Sequence, residues 1–297
     1  MILVVGATGS LGGRITRGLL AQGRKVRIPS RNNPISAELA AQGRANTAES
    51  LVGEGAEAAY ADLKEPDTLA AAVAGIDTVI TTATATQRGG GDTVPAVDLQ
   101  GALNLIAAAK AGGVKRFIYT SAAGAMPGHP VPLYDIKGQC EAALEASGME
   151  YTILRPAVFM EPWIGMIVGV PLMVKQPITL IGQGDHHHNF ISEADVAAFA
   201  LAVVDNPQAV NQRLEIGGPA SYTWTQIVNT AGQVMGAELP VQYLPLGSEL
   251  PLLPPEVGNL LNGMETFEAY IDMNETAPAY GVTLTTLDEF IQRTFRR

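Results

Sequence analysis

The sequence predicts a doubly wound parallel α/β sheet with a smaller C-terminal lobe, and three observations lead there. A short apolar run, Ile2-Leu3-Val4-Val5, passes into the turn Gly6-Ala7-Thr8-Gly9-Ser10-Leu11-Gly12-Gly13 and then into a helical pattern. Strand and helix patterns alternate with short connections as far as Pro156, which is the rhythm of right-handed crossovers between parallel strands. After Pro156 that rhythm breaks into residues rich in Pro, Gly, Met and Val with poor periodicity.

The elements follow in order. Val4-Val5 belongs to the first strand, and residues 12–22 form a helix ended by Gly23. Lys25 to Ser30 reads as the second strand, and Glu57 to Tyr60 as a short third one ending at Ala61-Asp62-Leu63. Residues 66–74 make a short helix with Gly75 at its C-terminus. Asp77 to Thr82 is the fourth strand, followed by a glycine-rich loop at Arg88 to Asp92. Asp98 to Gly112 is an alanine-rich helix with apolar residues at helical spacing, and Val114 to Ser121 is the fifth strand. A loop from Gly124 to Pro132 precedes a helix over 136–147, and Tyr151 to Leu154 gives a sixth strand stopped by Arg155-Pro156. Beyond it, a helix over 193–205 is capped by Ser192, with Glu193 and Asp195 suiting its first turn. A strand over 213–218, a helix from Thr223 to Met235 and a mixed tail from Pro240 complete the chain. The expected division is a nucleotide-binding domain over 1–157, to which 190–218 returns, and a smaller lobe from 158–189 and 219–297.

Composition narrows the function classes. At 297 residues the chain can bury a sizeable core, and its 47% hydrophobic content falls in strand-length stretches rather than membrane spans. A net charge of −10 argues against broad nucleic-acid or anionic-membrane binding. With a strand pattern starting at Ile2, no signal peptide is expected, and a single cysteine, Cys140, excludes an internal disulfide. These features predict a cytoplasmic protein that is a monomer or small homo-oligomer and acts on a small molecule. Cys140, in a helical pattern, reads as a packed small hydrophobe.

A strand, a glycine-rich turn and a helix N-terminus together make a site for a pyrophosphate. Gly6 permits the tight turn, Gly9 lets backbone N–H groups approach the phosphates, and Gly12 lets the helix pack closely. Folds of this kind that prefer NAD place an acid at the end of the second strand. Here the segment reads Ser30-Arg31-Asn32, with no acid before Glu38. Arg31 offers a fork of donors suited to a 2′-phosphate, with Ser30 and Asn32 as neutral helpers, so NADP(H) is the expected cofactor. Asp62 either accepts from the adenine amino group, with Leu63 packing on the ring, or caps a turn.

With these residues in place the chain resembles the atypical short-chain dehydrogenase/reductases, specifically the NmrA-like group. The segments that carry the resemblance are GATGSLGG at 6–13, SRN at 30–32, ADL at 61–63 and GALNLIAAAKAGGVKRFIYTSAAGA at 101–125. Lys137-Gly138-Gln139-Cys140-Glu141 with SGMEYTILRPAVF, FISEADVAAFA at 190–200 and YGVTLTTLDEFI at 280–291 add to them. The resemblance implies a Rossmann-type domain in which Gly6, Thr8, Gly9, Ser10, Leu11 and Gly12 hold the pyrophosphate. It further implies that Thr82, Ala83 and Thr84 line the cofactor's ribose and that Pro156, Ala157, Val158 and Phe159 border the nicotinamide. Arg155-Pro156 equally suits a turn that ends a strand.

One departure matters. The usual dehydrogenases set a Tyr four residues before a Lys, on one helix face, so that the Lys lowers the phenol's pKa. In this chain Leu133 stands four before Lys137, and Tyr134 only three. The family lysine maps to Lys137, which the resemblance assigns to the nicotinamide ribose or to proton relay. The alternative is an exposed helix lysine paired with Glu141. Ser121 falls at the family's substrate-side serine, or caps a strand end.

His186-His187-His188 is internal. His186 and His188 could share a metal on an extended chain, yet no partnered Cys or helical His-x-x-x-His accompanies them, and no metal is expected. Met160, Trp163, Met166 and Met173 suit either an apolar substrate pocket or the lobe's core. The resulting expectation is an NADPH-dependent reductase that passes hydride to a small apolar, aromatic or quinone-like acceptor. The alternative is a non-catalytic NADP(H)-binding redox sensor or a structural or assembly protein.

Overall fold

The computed structural model describes residues 1–31, 46–86, 91–250 and 255–296, with the backbone alone for 255–257 and 260. The chain divides into two compact units, Met1–Pro156 with Val196–Glu215, and Ala157–Asp195 with Ile216–Arg297.

The first unit is built on a seven-stranded sheet. Its strands are β1 (Ile2–Val5), β2 (Val26–Ser30), β3 (Glu57–Tyr60), β4 (Thr78–Thr81), β5 (Arg116–Thr120), β6 (Glu150–Pro156) and an edge strand over Gln212–Ile216, and their spatial order is edge strand-β6-β5-β4-β1-β2-β3. The pairings of β1 with β2 and β4, β2 with β3, β4 with β5, and β5 with β6 are all parallel. Every residue of β1, β4 and β5 is buried, as a sheet covered on both faces requires. The chain order reverses at β1, between β4 and β2, so the crevice at the carboxyl ends of β1 and β4 is the topological switch point of the predicted doubly wound fold.

Helices α1 (Ser10–Ala21), α2 (Ala48–Gly53), α3 (Pro66–Val73), α4 (Ala102–Ala111) and α5 (Pro132–Ala146) connect these strands. Leu3 and Val5 of β1, and Phe117 and Tyr119 of β5, share one core cluster with Leu105 and Ala109 of α4, as the two-residue period of a strand dictates. Two boundaries depart from the sequence reading. The alanine-rich helix begins as a π-helical stretch at Pro95–Gly101, because Pro95 is already suited to a first turn. Helix α5 starts at Pro132 rather than at 136 for the same reason: a proline read as loop fits N1, where no N–H is needed.

The second unit holds β7 (Val158–Phe159), α6 (Met160–Ile164), a π-helical turn at Gly165–Gly169, α7 (Val170–Met173), β8 (Ile178–Ile181) and β9 (His188–Ile191). Helix α8 (Glu193–Ala202) follows, and the strand Gln212–Ile216 of the first unit is numbered β10. The unit is completed by β11 (Ser221–Tyr222), α9 (Trp224–Met235), β12 (Val241–Leu244), α10 (Pro255–Met264), α11 (Thr276–Ala279) and α12 (Leu287–Phe295). Three short strands pair in the order β11-β9-β7, and β12 pairs in parallel with β8. Pattern reading missed β8 and β12, since prolines flank both and each is held only by a partner some sixty residues away. Met160, Ile164, Phe190, Trp224, Ile227 and Phe290 form the core of this unit, with Trp163 packed against it and Met173 exposed. The methionine-rich segment therefore contributes first to packing. Capping boxes at Thr223/Gln226 and Thr286/Glu289 start α9 and α12, each cap being worth about 1 kcal/mol.

Candidate functional site

The glycine turn sits at the switch point. Gly6 follows β1 with φ of +91°, and a Cβ there would stand 2.6 Å from Thr82 Oγ1 and 3.0 Å from the Ala83 nitrogen, just beyond β4. The Gly9 N–H donates to the Gly6 carbonyl at 2.9 Å and closes the turn. A Cβ on Gly12 would lie 2.2 Å from that same carbonyl oxygen, so only glycine lets α1 approach β1 this closely. Gly9 is the N-cap of α1, and the first turn carries neither a side-chain cap nor an acid. A twelve-residue helix opening this way turns its positive end toward whatever occupies the crevice.

Thr8, Ser10 and Leu11 complete the turn: the Thr8 carbonyl accepts from Asn46 N–H at 2.9 Å, Ser10 is exposed and Leu11 half-buried. Asn46, invisible to pattern reading, donates its amide to the Gly9 carbonyl at 3.1 Å and accepts from Arg17 at 2.9 Å. A Cβ on Gly13 would meet the Asn46 amide at 2.1 Å, so this small residue admits the brace. Beyond β4, the Thr82 N–H donates to the Val5 carbonyl at 2.9 Å, the Ala83 N–H to Thr81 Oγ1 at 3.4 Å, and Thr84 to Thr86 at 3.2 Å.

At the ends of β2 and β3 the structure assembles four charges. Arg31 donates from Nη2 to Asp92 Oδ2 at 2.8 Å and from Nη1 to Asp92 Oδ1 and Asp62 Oδ2, both at 3.2 Å. Lys64 Nζ lies 2.8 Å from Asp92 Oδ1. The Arg31 guanidinium, more than the Lys64 ammonium, holds the Asp92 carboxyl well below the usual carboxylate range. Asp62 also accepts from the Lys64 N–H at 2.9 Å, a turn-capping contact, while Leu63 is half-buried against the first unit's core. Asp92 and Lys64 carry no local pattern that singles them out; Asp92 follows a glycine run that reads only as loop. Ser30 ends β2, and Asn32 lies outside the described residues.

A second polar cluster lies beneath the ends of β4 and β5. Lys137 is buried, with Nζ 3.4 Å from Asp98 Oδ1, 3.4 Å from the Thr120 carbonyl and 5.2 Å above the Tyr119 ring. Asp98 sits in the π-helical stretch with its side chain fully buried, and its other oxygen accepts from the Ala85 N–H at 2.8 Å. Lys137 is therefore not the exposed helix cation of the alternative reading, and Glu141 is not its partner. Glu141 instead accepts from the Ser121 hydroxyl and from Arg155 Nε at 3.0 Å. Arg155 also donates to the Ala125 carbonyl at 3.0 Å. Cys140 is buried, its thiol donates to the Asp98 carbonyl at 3.2 Å, and burial pushes its pKa up, so it packs rather than reacts. Tyr134 packs edge-on to His129 at 5.0 Å, and burial raises its phenol.

Pro156 ends β6, and its carbonyl accepts from the Ala123 N–H at 2.9 Å. Ala157, Val158 and Phe159 belong to the second unit: Ala157 N–H donates to the Ile216 carbonyl at 2.9 Å, and Val158 and Phe159 form β7 against β9. The histidine run is spread over three partners. His188 bonds the Met264 carbonyl at 2.7 Å, His187 lies 3.3 Å from Glu268, and His186 lies near Asp185 and Glu265.

The sequence model of the NmrA-like family matches residues 1–291. The photosystem II assembly factor Ycf39 of Trieres chinensis is 30% identical over 245 residues, which span 82% of this chain and 72% of that protein. The NAD(P)H azoreductase of Xenophilus azovorans is 29% identical over 283 residues, 93% of this chain and 85% of that one. The NADPH-dependent quinone oxidoreductase of Escherichia coli, solved in complex with NADPH, aligns with a TM-score of 0.74 at 26% identity over 100% of both chains. Triphenylmethane reductase of Citrobacter sp. aligns with a TM-score of 0.79 over 99% of both, and at 20% identity shows a shared fold. Among the described residues no helix is long and apolar enough to cross a membrane.

Proposed function

The chain belongs to the NmrA-like family, and we propose that it is an NADPH-dependent reductase that transfers hydride to a small apolar acceptor of aromatic or quinone-like character. The observation that carries this reading is the glycine cradle at the switch point, where a Cβ on Gly6 or Gly12 would strike Thr82 or backbone. That cradle fits a dinucleotide pyrophosphate, with Gly6, Thr8, Gly9, Ser10, Leu11 and Gly12 as its holders. Arg31, with Ser30 and, next in sequence, Asn32, receives the 2′-phosphate, Asp62 and Leu63 the adenine, and Thr82, Ala83 and Thr84 the ribose. Pro156, Ala157, Val158 and Phe159 border the nicotinamide. NADPH, when bound, supplies the hydride.

The protein's own part is binding, orientation and proton supply. The α1 N-terminus complements the pyrophosphate charge, and Arg31 exchanges the Asp92 carboxylate for phosphate oxygens of the same bidentate shape. Lys137, fixed by Asp98 and the Thr120 carbonyl, donates to the nicotinamide ribose and holds a proton at Nζ for an acceptor oxygen or nitrogen. Ser121, whose hydroxyl donates to Glu141, takes the substrate-side position beside the acceptor in this reading. Substrate contacts are assigned to the second unit, over 158–189 and 219–297.

The reductase names among its relatives support this chemistry, and the likeness to Ycf39 supports a second reading: an NADP(H)-binding assembly or sensor protein without turnover. Stopped-flow mixing of the NADPH-loaded protein with quinones, azo dyes and aromatic ketones separates the two. A reductase bleaches the nicotinamide absorbance with at least one acceptor at saturable rates. Tight NADPH binding with a silent panel removes the catalytic reading.

A further inference from the structure

The histidine run places His186 in a cluster that serves none of the functions above. Its Nδ1 is sealed from solvent and has no hydrogen-bond partner, although it lies 3.6 Å from Asp185 Oδ1 and 3.6 Å from Glu265 Oε2. Both separations are too long for the charge-assisted hydrogen bonds that an imidazolium would draw from two carboxylates, which close to about 2.8 Å. They are close to what a shared cation imposes: ligand atoms roughly 2.0–2.2 Å from a tetrahedral ion lie about 3.3–3.6 Å from one another. The three ligand atoms all fall within 4.8 Å of one another, and the 69% exposed Asp185 side chain is free to close the remaining gap.

The surroundings hold the other two ligands in place. Glu265 has a side chain only 5% exposed and accepts from the Gly184 N–H at 3.3 Å. A Cβ on Gly182 would stand 2.7 Å from Glu265 Oε2, so the glycine makes room for the carboxylate. Next along the chain, His188 is fixed by the Met264 carbonyl and His187 lies beside Glu268, so the backbone on both sides of the cluster is tied down.

We propose that Asp185, His186 and Glu265 form a binding site for a divalent transition-metal cation of the zinc class. The cation clips the loop carrying the histidines to the segment after α10. One imidazole and two carboxylates suit Zn²⁺, whereas Mg²⁺ favours an all-oxygen shell. Three protein ligands leave a position for water, and the exposed side of Asp185 gives the ion its entry path. Neither His187 nor His188 contributes, because each already has its own partner in the segment 264–268.

The test uses the full chain without a polyhistidine tag, stripped with chelator and titrated calorimetrically with Zn²⁺ and with Mg²⁺. We expect one equivalent of Zn²⁺ to bind, Mg²⁺ to bind at least a hundredfold more weakly, and the melting temperature to rise by several degrees with Zn²⁺. His186→Gln and Glu265→Gln should each weaken Zn²⁺ at least tenfold and abolish the thermal shift. Asp185→Asn, at a side chain 69% exposed, should weaken it at least threefold and leave the metal-free melting temperature unchanged, and His187→Gln should stay within twofold. Absence of one-equivalent binding in the wild type overturns the proposal. So does a series in which His187→Gln is as damaging as His186→Gln while Asp185→Asn and Glu265→Gln are silent, since that marks adventitious binding to surface imidazoles only.

Discussion

Arg31→Ala is the perturbation whose outcome bears most directly on the cofactor assignment. In the structure its guanidinium is engaged bidentately by Asp92 at 2.8 and 3.2 Å and by Asp62 at 3.2 Å. A 2′-phosphate presents the same pair of acceptor oxygens with more charge, so under the proposed assignment NADPH would exchange one bidentate partner of Arg31 for another. Lys64, 2.8 Å from Asp92, remains as the counter-ion of the displaced carboxylate. The net loss on deleting Arg31 is then that of a charge-assisted contact, about 1.5–3 kcal/mol, or roughly 10- to 150-fold in Kd. NADH has no 2′-phosphate, and its Kd should move by less than about threefold on the same scale. Arg31→Lys keeps the charge and loses the fork, and should fall between. Titrating nicotinamide fluorescence with each cofactor, at one fixed ionic strength because exposed charges are screened, gives the two constants. Equal losses for NADPH and NADH would show that Arg31 only clamps Asp62 to Asp92, and the phosphate assignment would fail.

Two further outcomes follow from the buried charges. Asp98→Asn strips Lys137 of its carboxylate partner in a site where the lysine side chain is 8% exposed, and should cost about 3–5 kcal/mol in urea unfolding. Asp98→Asn combined with Lys137→Met should recover much of that loss while leaving NADPH binding or turnover impaired; a double variant no more stable than the single one would show that the pair is not coupled. The Asp92 carboxyl, held down by Arg31 and Lys64, contributes stability that is complete above the ordinary carboxylate pKa of about 3.9 and is lost as the pH falls below it. Asp92→Asn should therefore flatten the decline in stability between about pH 5 and pH 3, and an unchanged slope would remove Asp92 from that decline.

What the sequence determined by itself was local: the buried strand before Gly6, the glycine turn, the alternation that implies parallel crossovers, and the lysine of α5. Each rests on neighbours within a few residues, where sterics and periodicity act, and so can be read along the chain. Short strands such as β8 and β12 escaped because their hydrogen bonds go to a distant partner rather than to a local pattern. Tertiary structure alone decided which charges meet. It brought Asp92 to Arg31 across sixty-one residues and Asp98 to Lys137 across thirty-nine, and it split the histidine run among Glu265, Glu268 and the Met264 carbonyl. A charge finds its partner through the path of the backbone in space, and sequence spacing carries no record of that path. The glycine turn thus pointed to a phosphate site from the first residues, whereas the meeting of Arg31 with Asp62, Asp92 and Lys64 was decided only by the tertiary structure.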